Sequence, residues 1–366
     1  MPANSTMGLR CLALVTEAFG GRNGIAQYNR DLLAALAEVG PLSSLTVLPR
    51  YTADDFAPPK GLIQARPKRS RLSYSLAALA LAFGRRVDVV FCGHLFMAPL
   101  AAALARWKSA KLVLQTHGIE AWERPTRAQR TAAEAADLIL CVSRHTRARV
   151  LDWAAIPPER VVVLPNTVGE AFAPGPSSLK ERWELEDKRV LLTVGRLDSR
   201  ERYKGHDRVI ATLPEVVSRG HDVSYVIVGE GDDAARLRRL AQDAGVAERV
   251  RFIGPVDRPT LIQAYRMADL FVMPSTGEGF GIAYLEAMAA GTPALGLSAA
   301  GAVDALCDGA LGTAVRPEQL ASAIADLLAT RKPEPAALSG AVRARFGRQV
   351  FSECVRLEFG RLTEAA

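Results

Sequence analysis

Short apolar runs recur along the whole chain, and between them lie longer stretches in which apolar residues are spaced three and four positions apart. Apolar runs without alternation are typical of strands buried on both faces of a parallel sheet, and the wider spacing is typical of amphipathic helices. We expect strands at Arg10–Thr16, Ser44–Leu48, Val87–Cys92, Lys111–Thr116, Leu138–Val142, Val161–Leu164, Val190–Val194, Tyr225–Val228, Val250–Ile253, Leu270–Met273 and Ala294–Leu297. This alternation predicts two Rossmann-like α/β domains.

A turn-rich stretch interrupts the alternation near the middle of the chain. Pro174, Gly175, Pro176 and Ser177 cluster there, and we expect a linker near 167–186. The predicted domains are 1–169 and 170–348. Segment 349–366 is predicted to be a terminal helix that crosses back to the first domain. With 366 residues, the chain is long enough for two cores.

Composition narrows the class of protein. The apolar fraction is 49%, but no apolar run reaches the ~20 residues that cross a bilayer. The start of the chain lacks the basic region of a secretory leader. The five cysteines are scattered without a CxxC pair, which argues against a disulfide framework or a zinc site; Cys11, Cys92 and Cys141 are predicted to be core thiols. We expect a cytoplasmic protein.

The net charge of +7 favours anionic partners, and part of the excess of basic residues is concentrated in one stretch. Cations flank the apolar segment LSYSLAALALAF, at Lys60, Arg66, Lys68, Arg69, Arg71, Arg85 and Arg86. One interpretation is peripheral contact of the stretch 60–86 with an anionic membrane, on the inner face of the cytoplasmic membrane. The alternative is a solvated loop followed by a core helix. Nucleic acid is not expected, because aromatic interleaving and helix-turn-helix patterns are absent.

The stretch from Pro274 to Gly296 carries the densest candidate chemistry. Glu278 and Glu286 stand eight positions apart, in a glycine-rich loop and in the helix that the loop opens. Glycines let backbone N–H groups approach a ligand, and a helix start attracts anions, while carboxylates accept hydrogen bonds from sugar hydroxyls. The simpler interpretation is a helix start with acidic residues in its first turns.

The run E-GFGIAYL-E followed by AMAAGTPALG resembles the E-x7-E signature of retaining GT-B glycosyltransferases, in particular those of glycosyltransferase family 4. A glycine-rich first turn, T-H-G at 116–118, P-N at 165–166, G-R…K-G and G-E-G at 229–231 precede it in the order that the family shows. The resemblance implies an α/β GT-B fold, with two Rossmann-like domains facing across a central cleft. The N-terminal domain would bind the acceptor, and the C-terminal domain the nucleotide-sugar.

The resemblance also implies roles for individual residues. The catalytic set would be His117, Arg196, Lys204 and Glu278, in which the two cations take the donor diphosphate while Glu278 and His117 orient the hexose. Glu286 would hold the ribose hydroxyls. The other donor-binding residues would be Gly20, Gly21, Gly24, Asn166, Glu230, Gly231, Gly254, Val256, Gly279, Phe280 and Gly281. Thr167 replaces the glycine that usually follows Asn166.

Several of these residues have simpler explanations when taken alone. Arg196 and Lys204 could be exposed loop cations, and His117 a capping or packing histidine; an acceptor-side role for His94 is a weaker hypothesis. The segment GEGDDAARL imitates a dinucleotide-binding turn, but Asp232 and Asp233 would oppose a pyrophosphate. We attribute that acidic pair to the helix start and expect no metal.

The expected reaction is the retaining transfer of a hexose from a nucleotide-sugar to a hydroxyl of a glycan or lipid-linked acceptor, in the synthesis of a surface polysaccharide or glycolipid. GDP-mannose is the first donor to consider and a UDP-hexose the second. The nucleotide-sugar is a substrate, and no cofactor is expected. The alternatives are a nucleotide-sugar epimerase, a polymer phosphorylase or synthase, and a catalytically silent binding subunit.

Overall fold

The computed structural model describes residues 8–21, 23–52 and 58–364, with side chains up to Leu362. The start of the chain, on which the expectation of no leader depends, lies largely outside the described residues. The chain divides into two compact units. The first runs to Thr167 and resumes at Gln349, and the second spans Val168–Arg348. The acceptor and donor roles given to the two halves stay predictions.

The first unit contains a seven-stranded parallel sheet with the order β3-β2-β1-β4-β5-β6-β7. Its strands are β1 (Leu9–Val15), β2 (Leu42–Pro49), β3 (Leu62–Gln64), β4 (Val89–Cys92), β5 (Lys111–Thr116), β6 (Leu138–Cys141) and β7 (Val161–Val163). Its helices are α1 (Gly24–Val39), α2 (Arg71–Ala82), α3 (Ala98–Lys108), α4 (Arg127–Glu134) and α5 (Arg144–Trp153). Central strands such as β4 are buried throughout, as the apolar runs predicted.

The second unit contains a six-stranded parallel sheet with the order β10-β9-β8-β11-β12-β13. Its strands are β8 (Arg189–Val194), β9 (Val223–Val228), β10 (Val250–Gly254), β11 (Leu270–Met273), β12 (Ala294–Leu297) and β13 (Thr313–Val315). Its helices are α6 (Leu179–Arg182), α7 (His206–Ser218), α8 (Ala234–Asp243), α9 (Arg258–Met267), α10 (Ile282–Ala289), α11 (Ala302–Ala305), α12 (Leu320–Ala329) and α13 (Pro335–Phe346). The α/β prediction is confirmed for both halves.

A last helix, α14 (Arg348–Glu364), follows the second unit, and from Gln349 onward the chain belongs to the first. Within the first unit, the Phe351 ring of α14 contacts the Tyr28 ring of α1 edge-on, with centroids 6.0 Å apart. Because Phe351 and Tyr28 are both buried, this contact fixes the terminal helix to the helix that follows β1.

The prediction of a linker near 167–186 is wrong for most of that segment. Phe172 and Leu179 are buried in the second unit. Lys180 pairs with the buried Asp269 at 3.0 Å, and the same carboxylate accepts the Val190 N–H at 2.8 Å. A turn-rich composition was mistaken for a free linker because turns also occur in packed segments.

The predicted core thiols Cys11, Cys92 and Cys141 are confirmed as buried, and burial raises the pKa of each to about 12. Among the helices of the described residues, none has the length and apolarity needed to span a membrane.

Candidate active site

The strand order of the second sheet reverses between β8 and β11. Strands β9 and β10 extend the sheet on one side of β8, while β11 to β13 extend it on the other. In doubly wound sheets, ligands bind beyond the carboxyl ends of the two strands that flank such a reversal. Arg196 follows β8, and Glu278 follows β11. Two of the predicted catalytic residues therefore lie at the position that the topology favours.

Lys204 joins the loops that follow these two strands. Its Nζ atom lies 2.9 Å from Oε1 of Glu278 and 3.9 Å from Oε2 of Glu201. The other oxygen of Glu201 accepts a hydrogen bond from the Arg196 guanidinium. Two cations and two carboxylates thus form one connected group whose formal charges cancel.

Burial and the neighbouring negative charges shift the pKa of Lys204 in opposite directions. Desolvation lowers its pKa, but the Glu278 carboxylate, with Tyr203 and Glu201 in support, outweighs burial and leaves the pKa above its ordinary value. The ammonium is therefore charged throughout the neutral range. Arg196 differs, because its side chain is 67% exposed and its guanidinium is open to solvent.

Tyrosine rings occupy the space beside two glycines of the loop between β11 and α10. A Cβ on Gly277 would lie 2.8 Å from the Tyr203 ring, and one on Gly281 would lie 2.6 Å from the Tyr284 ring. Gly281 also has a φ of +98°, which disfavours other residues. The sequence analysis gave the glycines of this loop to the close approach of a ligand. The structure adds an internal reason for them, the packing of two tyrosines.

Phe280 and Gly279 also lie in this loop, and their surroundings restrict what they can offer a ligand. The Phe280 ring is buried and meets the Phe346 ring at a centroid distance of 5.6 Å, so only its backbone remains for a donor. Gly279 is overlaid by another backbone segment, since a Cβ on Gly301 would lie 2.0 Å from the Gly279 carbonyl oxygen. Gly301 in turn donates its N–H to the Glu278 carbonyl at 2.9 Å. These contacts fix the loop that presents the Glu278 carboxylate.

Glu286, in the second turn of α10, is held by a neighbour that the sequence analysis missed. The Tyr265 hydroxyl of α9 donates a hydrogen bond to Oε2 of Glu286 at 2.8 Å. Tyr265 is fully buried, and burial followed by the Glu286 charge raises its pKa well above the ordinary value, so the hydroxyl stays a donor. No motif marks Tyr265, which lies in an ordinary amphipathic helix.

The G-E-G turn after β9 packs against the loop that carries Arg196. A Cβ on Gly229 would lie 1.9 Å from the Gly195 carbonyl oxygen, and one on Gly231 would lie 2.2 Å from the Leu197 carbonyl. The Leu197 N–H donates to the carbonyl of Glu230 at 2.8 Å. Close backbone packing therefore explains the glycines of this turn, and the exposed side chain of Glu230 is left for other contacts.

Asp232 and Asp233 hold the same loop, and their attribution to the helix start is confirmed in position only. Asp233 is the N-cap residue of α8, but its side chain makes no cap hydrogen bond. Its carboxylate instead pairs with Arg236 and with Arg202, and its pKa is lowered chiefly by the hydrogen bond from Arg236. Asp232 accepts the N–H and hydroxyl of Ser199 at 2.7 and 2.8 Å.

Gly254 and Val256 follow the neighbouring strand β10. Gly254 has a φ of +83°, and its carbonyl accepts the Gly229 N–H at 2.9 Å. Val256 is half-buried. Both predicted donor residues thus lie on the β9 side of the strand reversal, next to the G-E-G turn.

In the first unit, His117 directly follows β5. Its Nε2 lies 2.9 Å from the Gly93 carbonyl oxygen, and because a carbonyl only accepts, Nε2 carries the hydrogen and Nδ1 is an acceptor. Burial lowers the His117 pKa, with the Glu120 charge opposing it, so the ring is neutral at neutral pH. The neighbouring Gly118, at φ +143°, permits the sharp turn that follows.

His94 acts as a cap. Its Nδ1 accepts the Phe96 N–H at 3.3 Å, and the two rings stack at 4.6 Å. Burial lowers its pKa to about 4. These contacts give the residue a structural function and leave its suggested acceptor role without support.

Some of the hydrogen-bonding groups in the glycine-rich turn after β1 are paired within the turn itself. Gly20 has a φ of +89°, and the Gly21 N–H donates to the Ala18 carbonyl at 3.1 Å. The Asn23 side chain caps α1 by accepting the Ala26 N–H at 2.8 Å. Gly24 is the first residue of α1, and a Cβ there would have no neighbour within 4 Å. Asn166, the remaining predicted donor residue, is buried.

Two family profiles match the chain in succession. Residues 22–171 match "Glycosyltransferase Family 4", and residues 177–345 match "Glycosyl transferases group 1". A GDP-mannose-dependent alpha-(1-6)-phosphatidylinositol monomannoside mannosyltransferase of Mycolicibacterium smegmatis is 36% identical over 273 residues, which covers 69% of this chain and 70% of the relative. The chain belongs to glycosyltransferase family 4.

Of two further relatives of this family 4 glycosyltransferase, one has the same name and one a different name. The Mycobacterium tuberculosis H37Rv mannosyltransferase of the same name is 33% identical over 264 residues, which covers 67% of this chain and 68% of the relative. A D-inositol 3-phosphate glycosyltransferase of Thermobispora bispora is 37% identical over 57% of this chain and 52% of the relative.

Solved structures show the same fold. Anabaena HepE in complex with UDP has a TM-score of 0.77 at 18% identity, and the match covers 98% of this chain and 100% of HepE. The lipopolysaccharide outer core galactosyltransferase WaaB has a TM-score of 0.69 at 19% identity, over 97% and 99%. As a member of glycosyltransferase family 4 with the GT-B fold, the enzyme is a retaining glycosyltransferase that transfers a sugar from a nucleotide-sugar, as the motifs predicted.

Proposed function

We propose that this glycosyltransferase moves mannose from GDP-mannose to a hydroxyl of a lipid-linked glycan. The observation that carries the donor half is the Lys204–Glu278 ion pair at the strand reversal of the second sheet. It sets a cation suited to a diphosphate beside a carboxylate suited to sugar hydroxyls. The choice of GDP-mannose is supported by the named donor of the mycobacterial relatives.

In this proposal, Arg196 and Lys204 contact the diphosphate of the donor. Negative charge grows on the leaving phosphate as the glycosidic bond breaks, so cations already fixed there stabilise the transition state more than the ground state. Glu278 accepts hydrogen bonds from the hexose, and Glu286, oriented by Tyr265, accepts them from the ribose. Backbone groups of Gly279, Phe280, Gly281, Glu230, Gly231, Gly254 and Val256 complete the donor contacts.

The first unit is proposed to bind the acceptor. The neutral His117 ring, which the resemblance gives to the hexose of the donor, offers Nδ1 as an acceptor for a sugar hydroxyl. Gly24, which the resemblance gives to the donor, has open space beside it. We place no protein carboxylate as a nucleophile, and we propose that the acceptor hydroxyl attacks from the face that the phosphate leaves, with its proton passing to that phosphate.

A membrane surface is the proposed location of the acceptor. The outer face of α2 and its end expose large apolar side chains at helical spacing, and these form the apolar stripe Leu72, Leu76, Leu79 and Phe83, which are 72, 57, 43 and 75% exposed. Tyr74 and Ala78, on the opposite face of α2, are buried. All seven cations between Lys60 and Arg86 are exposed, and no acidic residue occurs among them. An apolar stripe with a cationic margin suits an anionic bilayer.

The donor is tested by thermal shift with GDP-mannose, UDP-glucose and ADP-glucose, because a ligand of the folded state raises its Tm. GDP-mannose should give the largest shift, and mannose should then pass to phosphatidylinositol monomannoside, the acceptor named for the relatives. A larger Tm shift with UDP-glucose than with GDP-mannose would show that the donor is a UDP-hexose. Conversion of the sugar without any acceptor would favour an epimerase instead.

A further inference from the structure

Glu201 has no role in the donor contacts proposed above, yet it lies between the two cations that make them. One carboxylate oxygen accepts from the Arg196 guanidinium, and the other lies 3.9 Å from Lys204 Nζ. The side chain is 13% exposed. The second oxygen, Oε2, is fully buried and has no hydrogen-bond partner in the part of the chain that the structure describes.

The backbone keeps this carboxylate in place. Glu201 departs from helical geometry inside the turn Ser199–Lys204, with φ −112° and ψ 25°, and its N–H donates to the Asp198 carbonyl at 2.8 Å. Asp232 binds Ser199 on one side of it, and Asp233 binds Arg202 on the other. The position of Glu201 is thus set by an anchored loop and not by a freely moving surface side chain.

We propose that Glu201 is a positioning residue, the internal counter-ion of the diphosphate-binding cations: it holds Arg196 and Lys204 in place while the site is empty and competes with the donor diphosphate for them. This inference rests on the proposed function, because it requires that these cations bind a diphosphate. It adds a third carboxylate to the site, besides the two of the E-x7-E signature.

The competition has a direction. Without ligand, the charges of the two cations are balanced by Glu201 and Glu278. A diphosphate adds at least two negative charges to this neutral group, and the nearby Glu201 carboxylate opposes it. The mutual repulsion weakens the binding of the nucleoside diphosphate product and speeds its release. A nucleoside monophosphate lacks the β-phosphate, so the Glu201 carboxylate repels it less.

The experiment compares Glu201→Gln with wild type by calorimetric titration with GDP, UDP and the matching monophosphates. Glutamine keeps the size and a hydrogen-bonding oxygen but removes the charge. We expect the better-bound diphosphate to bind about five- to tenfold more tightly to the variant, with less than a twofold change for its monophosphate. The kcat should fall where product release limits turnover. Glu215→Gln is the matched control, because Glu215 is paired with Arg219 at 2.7 Å on the surface of α7.

Damage to the fold lowers affinity, so a gain of affinity is a result that a merely structural role does not produce. An Arg196→Ala background provides a second measurement, in which the gain from Glu201→Gln should shrink by at least half. Unchanged or weaker diphosphate binding, or an equal gain for the monophosphate, would overturn the role of Glu201. A wild-type chain that binds no nucleoside diphosphate would instead overturn the proposed function itself.

Discussion

The ammonium of Lys204 and the carboxylate of Glu278 lie 2.9 Å apart and join the loops that follow β8 and β11. The two residues are 74 positions apart in the chain and meet because β8 and β11 are neighbours in the sheet. The proposed phosphate contact and the proposed sugar contact are therefore not independent, and removal of either partner leaves the other charge uncompensated.

Lys204→Ala should lower kcat/KM by about a hundredfold or more, because a fixed cation is lost where charge develops on the leaving group. Glu278→Gln should also reduce activity, and the losses in the double variant should be less than additive. Initial rates with the nucleotide-sugar provide the measurement. Lys188→Ala, which removes a surface pair with Asp222, is the control and should retain activity. Full additivity would show that the two residues act separately.

Tyr265→Phe should raise the KM for the nucleotide-sugar about five- to tenfold with little change in kcat, because Glu286 loses the hydroxyl that orients it. The lost buried hydrogen bond should also destabilise the fold by about 1 kcal/mol. Tyr74→Phe is the matched control, since it removes a buried hydroxyl that donates to the Leu48 carbonyl in the first unit. That variant should lose stability without a change in KM, and an equal KM effect in both would refute the assignment.

Gly229→Ala should be strongly destabilising, by about 3 kcal/mol or more, because its Cβ would overlap the Gly195 carbonyl and its φ of +140° disfavours alanine. Thermal melts should show a Tm lower by roughly 5 °C or more. Gly340→Ala is the contrasting substitution, since a Cβ there meets nothing within 4 Å in α13, and it should be neutral or stabilising. A wild-type Tm for Gly229→Ala would exclude the close packing of the two loops.

Stability should fall as the pH decreases from about 7 towards 4. Burial lowers the pKa of His206 to about 4, while an unfolded chain titrates near 6.5, so the unfolded state takes up the proton first as the pH falls. The Tm should therefore drop between pH 7.5 and pH 5.0, and His206→Asn should reduce that drop by about 4 °C. His221→Asn, at a half-buried position, is the control and should leave the drop unchanged. An unaltered drop in His206→Asn would contradict this account.

Leu76→Ser and Phe83→Ser should each weaken binding to phosphatidylglycerol vesicles about tenfold, because each removes an apolar side chain from the stripe on α2. Vesicle sedimentation measures the effect, and pure phosphatidylcholine vesicles should bind weakly in every case. Leu357→Ser removes a leucine of α14 that is 50% exposed, close to the 57% of Leu76, and serves as the control. Equal binding of all variants would show that the stripe does not contact the bilayer.

The strands followed from the sequence because each apolar run is long enough to be distinctive. Each predicted run overlaps a strand, but the three-residue edge strands β3 and β13 were missed. In β3 only Leu62 is buried, so no apolar run marks it. An edge strand is defined by its hydrogen bonds to one neighbour, and side-chain periodicity does not report these.

The candidate site was predictable where a motif names a residue and unpredictable where a contact depends on the sheet order. Arg196, Lys204 and Glu278 could be selected by resemblance, but their joint network with Glu201 could not, because loops from two separated strands have to meet. Tyr265 was missed for the same reason. Asp232 and Asp233 were noticed as a pair, but two of their partners, Arg202 and Ser199, lie some thirty positions earlier.

The burial of Cys11, Cys92 and Cys141 gives the protein a practical property. Thiols with a pKa of about 12 carry almost no thiolate at neutral pH, and closed packing denies them to reagents. Cys307 is buried as well, whereas Cys354 on α14 is partly open. A maleimide dye should therefore label Cys354 first, and the native sequence already supplies a fluorescence reporter for the terminal helix.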